Sequence, residues 1–262
     1  MADVHYLEKG DGPTVVFLHG IGVDSESFAF QLEAFARAGY HAVSWDMPGY
    51  GRSVPLTPMT FPGLAGRLQQ FLDELNVPAV HVVGHSIGGM IVQQLARTAQ
   101  HKLLTMVLAQ TSPAFGNQGG DFQRQFVAER LQPLQEGQSM ADIAAEILPS
   151  LMGEAPDERG LQLARKCMSR VPSDAYVAAV QCLVEFEGRD HLPFITVPTL
   201  VLAGEIDSNA TVSMMEKMAQ KIPGAEFAVI SGAGHLAPMG NPDAFNHAVL
   251  YFLARQANKN DT

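Results

Sequence analysis

The 262-residue sequence predicts an α/β fold, in which a mainly parallel sheet carries helices on both faces. Short, uncharged runs rich in valine and leucine alternate along the chain with longer segments that have helical apolar spacing. Such runs are typical of strands that are buried on both faces of a parallel sheet. One long stretch without any such run interrupts the alternation, which indicates a helical insertion.

The elements of the core follow in order. Strands are predicted at 4–8, 14–18, 41–45, 80–83, 103–108, 197–204 and 225–230. The helix after the second strand is expected to be capped by Asp24 or Ser25 and to stop at Gly39. Further core helices are predicted at about 64–75, at 90–97 and at 242–254, and residues 258–262 are expected to fray.

The insertion is predicted to be entirely helical. Its helical segments lie near 121–130, 140–151, 158–168 and 174–186. Between them stand the expected helix breakers Pro133, Gly137, Pro149, Gly153, Pro156 and Pro172. We therefore expect a core made of residues 1–112 and 192–262, with residues 113–191 inserted into it.

Composition excludes several classes of function. The net charge is −10 and the isoelectric point is near 5.3, whereas binding to nucleic acid needs a basic surface. The first residues resemble no signal peptide, and no run reaches the ~18 apolar residues of a membrane span. Cys167 and Cys182 form no metal-binding pattern, so we expect both to be buried. We expect a soluble, cytoplasmic protein that binds neither nucleic acid nor membrane.

A G-x-S-x-G motif spans 84–88, between a predicted strand and a predicted helix. In this position the motif indicates a nucleophile elbow, a tight turn that lifts the hydroxyl of Ser86 clear of the sheet. Such a turn needs a strained backbone at the serine, and its neighbours Gly84 and Gly88 supply room against the adjoining strand and helix.

A nucleophilic serine needs a base and a carboxylate that orients the base. Asp207 and His235 each follow a predicted strand, where catalytic side chains of an open α/β sheet collect. The chain order Ser86, Asp207, His235 is the one expected for this fold. Glu205 is the competing acid, and position favours Asp207. The pair Asp190-His191 precedes Pro193 and is interpreted as a solvated hinge.

Five segments together resemble the α/β-hydrolase superfamily. They are H-G-x-G at 19–22, D-x-x-G-x-G-x-S at 46–53, the elbow at 84–88, the acid-bearing strand at 200–207 and the histidine loop at 232–235. The resemblance implies that the insertion is the family's cap domain. It also implies that the backbone N–H groups of Ile21 and Ile87 form the oxyanion hole, and that the reaction needs no metal or organic cofactor.

Within the superfamily the chain looks most like β-ketoadipate enol-lactonases and carboxylesterases. The resemblance implies hydrolysis of a small ester or enol-lactone with an apolar portion, through an acyl-enzyme, with activity lost towards acid pH. Asp207 is followed by Ser208, not by the proline of the enol-lactonases. C–C hydrolases of ring-cleavage products are an alternative, although Val23 follows Gly22 where their loop has proline. A cofactor-free perhydrolase or haloperoxidase, and a ligand receptor on the same fold, are the others.

Several remaining residues have plainer interpretations. The segment 232–237 fits a dinucleotide fingerprint, but Pro238 is expected to break the helix that the fingerprint requires, and no acid follows about 20 residues on. His85 is expected to be structural, and Asp46 and Arg52 to hold their own loop together. The sequence does not indicate an oligomeric state, nor whether a cap arginine reaches the pocket; the candidates considered are Arg124, Arg165 and Arg170.

Overall fold

The computed structural model describes residues 3–116 and 119–260. A seven-stranded sheet in the order β1-β3-β2-β4-β5-β6-β7 forms its centre. All neighbouring strands are parallel except β1 and β3. The strands are β1 (Tyr6–Lys9), β2 (Thr14–Leu18), β3 (His41–Trp45), β4 (Val80–His85), β5 (Leu103–Ala109), β6 (Thr199–Gly204) and β7 (Glu226–Ile230). The predicted α/β fold with a mainly parallel sheet is confirmed.

Helices cover both faces of this sheet. In the core they are α1 (Ala29–Arg37), α2 (Phe61–Glu74), α3 (Ile87–Ala99), α8 (Val212–Lys221), α9 (Ala237–Gly240) and α10 (Pro242–Asn260). Alternation along β2 shows the two layers: Val16 and Leu18 pack with α2 and α3, whereas Val15 and Phe17 pack with α1 and α10. Both faces are fully buried, which explains the uninterrupted apolar runs of the central strands.

Four helices lie in the chain between β5 and β6. They are α4 (Asp121–Gln135), α5 (Met140–Met152), α6 (Glu158–Ser169) and α7 (Ser173–Leu183). The expectation that Pro133 and Pro149 break helices was wrong, because both lie inside one. Each stands within three residues of the end of its helix, so the missing N–H costs one hydrogen bond and leaves the preceding turns intact.

Three core helices differ from the prediction. The sequence analysis did not predict α8, which Thr211 caps by accepting a hydrogen bond from the N–H of Met214. It expected Pro238 to prevent a helix, but α9 forms with this proline in its first turn, where its missing N–H has no intrahelical acceptor. The helix α10 continues to Asn260, through residues expected to fray, and 261–262 lie outside the described residues.

The inserted helices are fastened to the core near the histidine loop. The carbonyl of Leu151, in α5, accepts a hydrogen bond of 2.9 Å from the N–H of Leu236. On another side, Arg170 forms ion pairs with Asp24 and Glu26, at 2.8 and 2.9 Å. The insertion therefore contacts two loops that follow core strands. Among the described residues, no helix combines the length and the apolar character needed to cross a membrane.

The fold makes a prediction for stability in acid. His81, in β4, is buried enough that its pKa falls from 6.5 to about 4. Below about pH 6.5 the unfolded chain takes up a proton that the folded chain refuses, so stability falls between about pH 6.5 and pH 4. We expect His81→Asn to lose about 1 kcal/mol less than the wild type between pH 7 and pH 5 in urea unfolding.

The exposed His247→Asn provides the matched control, and we expect it to follow the wild type at both pH values. In the His81→Asn variant the new side-chain amide can still reach Thr105, whose hydroxyl oxygen lies 2.9 Å from Nδ1 of His81 in the wild type. Equal losses of stability in all three proteins would contradict the assignment.

Candidate active site

Ser86 stands at the sharp turn between β4 and α3. Its backbone has φ 55° and ψ −122°, a conformation that is strained for a residue with a side chain. Its N–H donates to the carbonyl of Ala109 at 3.0 Å, which ties the turn to β5. A methyl group at Gly84 would lie 2.6 Å from the carbonyl oxygen of Gly88, and one at Gly88 would lie 2.2 Å from that of Leu18. The turn therefore closes only with glycine at both positions.

The structure brings the three predicted side chains together at one edge of the sheet. Nε2 of His235 lies 3.1 Å from Oγ of Ser86, and Nδ1 lies 2.8 Å from Oδ2 of Asp207. The carboxylate can only accept, so Nδ1 carries the hydrogen and Nε2 is free to accept the serine proton. The Asp207 side chain is fully buried, and 15% of the His235 side chain remains exposed.

The two candidate acids have different roles in the fold. Burial alone raises the pKa of Asp207, but the charge and hydrogen bond of His235, with the N–H groups of Asn209 and Ala210, outweigh it and hold the pKa below its ordinary value. Asp207 is thus an anion facing the imidazole. Glu205 points away, and its carboxylate accepts hydrogen bonds from the Ser231 hydroxyl and the Gly232 N–H, both at 2.7 Å.

The loop after β2 is held against the nucleophile. A methyl group at Gly20 would lie 3.3 Å from Cβ of Ser86, so the backbone passes directly beside the serine. His19 is buried and its pKa is lowered by that burial; its Nδ1–H donates to the Gly20 carbonyl at 2.8 Å. The Tyr50 hydroxyl donates to the Ile21 carbonyl at 2.9 Å. These contacts fix the orientation of the Ile21 peptide.

The second predicted oxyanion donor belongs to α3. The N–H of Ile87 is the first of this helix, and the first N–H groups of a helix have no intrahelical acceptor. The helix dipole adds partial positive charge at the same place. A developing oxyanion beside Ser86 would therefore meet Ile87 on one side and the loop of Ile21 on the other.

His85 supports the histidine loop. Its Nε2 lies 2.7 Å from the carbonyl oxygen of His235, so that nitrogen carries the hydrogen and donates. Burial and the neighbouring His235 lower the pKa of His85 to about 3, so the ring is neutral at physiological pH. The same support is found in the loop after β3, where Asp46 accepts a hydrogen bond of 2.9 Å from the N–H of Ser25 and contacts His5, which Arg52 also contacts.

The pair Asp190-His191 lies away from the triad. Asp190 contacts Arg97 on the surface. Nε2 of His191 is a buried atom without a hydrogen-bond partner among the described residues. Both free cysteines, Cys167 and Cys182, are buried.

Comparison with known proteins identifies the family. The family described as the alpha/beta hydrolase fold matches residues 13–242, which is most of the chain. The chain belongs to the α/β-hydrolase family.

Relatives of known activity extend along nearly the whole chain. The (E)-2-((N-methylformamido)methylene)succinate hydrolase of Acinetobacter baylyi is 28% identical, over 95% of this chain and 93% of that protein. The 3-oxoadipate enol-lactonase 1 of the same species is 27% identical, over 90% and 86%. A thermophilic esterase from Thermogutta terrifontis, solved with malate bound, has a TM-score of 0.85 at 27% identity, over 97% and 93%. The α/β hydrolase described here is thus an enzyme of the hydrolase class, as its motifs predict.

The triad of this α/β hydrolase opens into a cavity of about 590 Å³ between the core and the inserted helices. Ser86 and His235 line it, together with many apolar side chains. Those from the inserted helices are Phe122, Phe126, Pro133, Ile143, Ile147, Leu151, Met168 and Leu183. A second cavity, of about 570 Å³, lies between residues 56–62 and α7, and no member of the triad lines it. The first cavity is therefore the candidate substrate site.

The cavity contains an arginine that the sequence analysis missed. None of the three arginines considered there lines it; Arg124 pairs with Asp121, and Arg170 pairs with Asp24 and Glu26. Arg130, on α4, does line it. Its spacing of four residues from the preceding phenylalanine on the same helix places the two on one face, which is the signal that could have identified it.

The close backbone contacts at the elbow make a prediction for stability. We expect Gly88→Ala to destabilise the protein by about 3 kcal/mol or more, because the backbone of β2 must move away from the added methyl group. Gly66→Ala is the matched control, since Gly66 is exposed in α2 with no atom within 4 Å of the new methyl group. We expect it to stabilise the protein by about 0.5–1 kcal/mol. Denaturant unfolding checks both, and equal stability of the two variants would contradict the contact.

Proposed function

We propose that this enzyme hydrolyses a small carboxylic ester or enol-lactone through an acyl-enzyme formed at Ser86. The observation that carries the proposal is the hydrogen-bonded chain from Asp207 through His235 to Ser86, at the floor of a largely apolar cavity. This is the arrangement that a serine nucleophile needs, with a base in contact and a carboxylate behind the base.

In the first half of the reaction, Nε2 of His235 takes the proton of Ser86 as Oγ attacks the substrate carbonyl carbon. The buried carboxylate of Asp207 stabilises the imidazolium that forms. The backbone N–H groups of Ile21 and Ile87 donate to the carbonyl oxygen as it becomes negative. Each such donor typically contributes about 3 kcal/mol to the stability of the transition state.

In the second half, the imidazolium of His235 gives its proton to the departing alkoxide or enolate, and the C–O bond breaks. The same imidazole then takes a proton from water, which attacks the acyl group on Ser86. The second tetrahedral intermediate collapses, releases the acid and returns the proton to Oγ. Each proton transfer uses the contact of 3.1 Å already present between Nε2 and Oγ.

We propose further that residues 113–191 act as a cap over the cavity, with residues 1–112 and 192–262 as the catalytic core. The support is that the cavity is lined from both sides, by Ser86 and His235 of the core and by Phe126 and Ile147 of the insertion. A small-molecule substrate with an apolar portion fits such a lining. The names of the relatives point the same way, because one is a 3-oxoadipate enol-lactonase and another an esterase.

The proposal predicts how substitutions in the triad act on turnover of p-nitrophenyl butyrate. We expect Ser86→Ala to lower kcat/KM by about 10⁴-fold or more, and Asp207→Asn by about 10³–10⁴-fold, because the amide of the second variant holds the imidazole in the wrong tautomer. Glu205→Gln is the matched control beside the same loop, and we expect a change within about threefold.

A stopped-flow burst of p-nitrophenol in the wild type, absent in Ser86→Ala, checks the acyl-enzyme. Turnover that persists undiminished in Ser86→Ala would rule out the mechanism. Thermal stabilisation by esters without multiple turnover would instead favour a receptor on this fold. Faster cleavage of ring-fission diketones than of esters or lactones in the same screen would favour a C–C hydrolase.

A further inference from the structure

Arg130 occupies an unusual place in the cavity wall. It is half-buried on α4, and its guanidinium carbon lies 5.2 Å from the ring centroid of Phe126. Among the described residues that line the cavity, it is the only arginine or lysine. A cation this close to an aromatic face is partly removed from water, so a negative partner in the cavity would interact with it more strongly than at the surface.

The protein itself supplies no acidic partner for this cation. Within the described chain, no carboxylate lies within 4 Å of the Arg130 side chain, whereas Arg124, Arg159, Arg170 and Arg189 all form ion pairs. Its polar contact is neutral: it hydrogen-bonds the phenol of Tyr176, whose pKa burial raises and Arg130 partly lowers. An arginine fork has five N–H donors, so one phenol leaves most of them available to a ligand.

Two carboxylates in the same cavity wall do not neutralise it. Glu129 and Glu146 are both exposed, so water solvates them. Glu129 also accepts a hydrogen bond of 2.7 Å from Gln125, on the exposed side of α4. The difference in burial favours Arg130 as the group that gains most from an opposite charge, because solvated pairs contribute little.

We propose that Arg130 binds a carboxylate of the substrate, so that the enzyme prefers esters or lactones that carry an anionic group. This inference rests on the proposed function of the Ser86 site and specifies the substrate class of that site. Arg130 is then a specificity residue, which pairs with the anion through two parallel N–H···O bonds while Ser86 attacks the ester carbonyl.

Two matched pairs of chromogenic or ultraviolet-active esters test the proposal. Mono-p-nitrophenyl succinate and p-nitrophenyl butyrate differ by a carboxylate on the acyl side. 4-Acetoxybenzoate and methyl 4-acetoxybenzoate differ by one on the alcohol side. The measured quantity is the ratio of kcat/KM for the anionic ester to that for its neutral counterpart, at pH 7.5 and low ionic strength, in the wild type, Arg130→Gln, Arg130→Lys and Arg124→Gln.

We expect the wild type to favour the anionic member of at least one pair. In Arg130→Gln that ratio falls about 10–100-fold, the usual effect of losing a charge-assisted hydrogen bond. Arg130→Lys keeps the charge but loses the fork, and it restores part of the ratio, which a merely structural role would not predict. Arg124→Gln, on the same helix but outside the cavity, keeps the wild-type ratio.

The outcomes separate the two proposals. Hydrolysis of the neutral esters that depends on Ser86, with ratios unaffected by Arg130→Gln, overturns the role of Arg130 and leaves the proposed function intact. Preference for an ester with a trimethylammonium group on its acyl chain overturns it as well, and assigns the exposed glutamates instead. Absence of Ser86-dependent turnover with every ester overturns the proposed function itself.

Discussion

The arrangement of the site depends on how the sheet holds Ser86, more than on the hydrogen bond between Ser86 and His235. That hydrogen bond contributes about 0.5–1.5 kcal/mol, while the backbone conformation of Ser86 costs about 1–3 kcal/mol. The bond alone therefore cannot maintain the turn. What maintains it is the surrounding packing, in which Gly84 and Gly88 let α3 approach the strands and the N–H of Ser86 is anchored on β5.

The histidine is positioned from two other directions. His85 donates a hydrogen bond of 2.7 Å to its carbonyl, from the core side. On the cap side, the carbonyl of Leu151 accepts from Leu236, and a methyl group at Gly234 would lie 2.5 Å from that same carbonyl oxygen. The end of α5 thus presses against the loop that carries His235. The inserted helices consequently help to place the base, in addition to forming a wall of the cavity.

The sequence predicted best what burial and topology determine locally. The strands β2 and β3 match their predicted limits, because two-sided burial demands a continuous apolar run of strand length. Ser86, Asp207 and His235 meet because the carboxyl ends of parallel strands lie at one edge of the sheet. What depends on packing between distant elements was predicted less well. The direction in which a face of α4 points is set by its packing with α7 and the core, so spacing alone could place Arg130 beside Phe126 but not inside a cavity.

The charge distribution of the cavity bears on turnover as well as on binding. Hydrolysis of an anionic ester creates a second carboxylate, next to Ser86, where the ester had been neutral. Arg130 is the one cation among the described lining residues, and the exposed Glu129 and Glu146 repel further negative charge. The product dianion is therefore bound less well than the monoanionic substrate, since only one of its two charges has a partner in a largely apolar site. An arginine opposite acidic residues thus suits a site that must capture an anion and then release a more highly charged one.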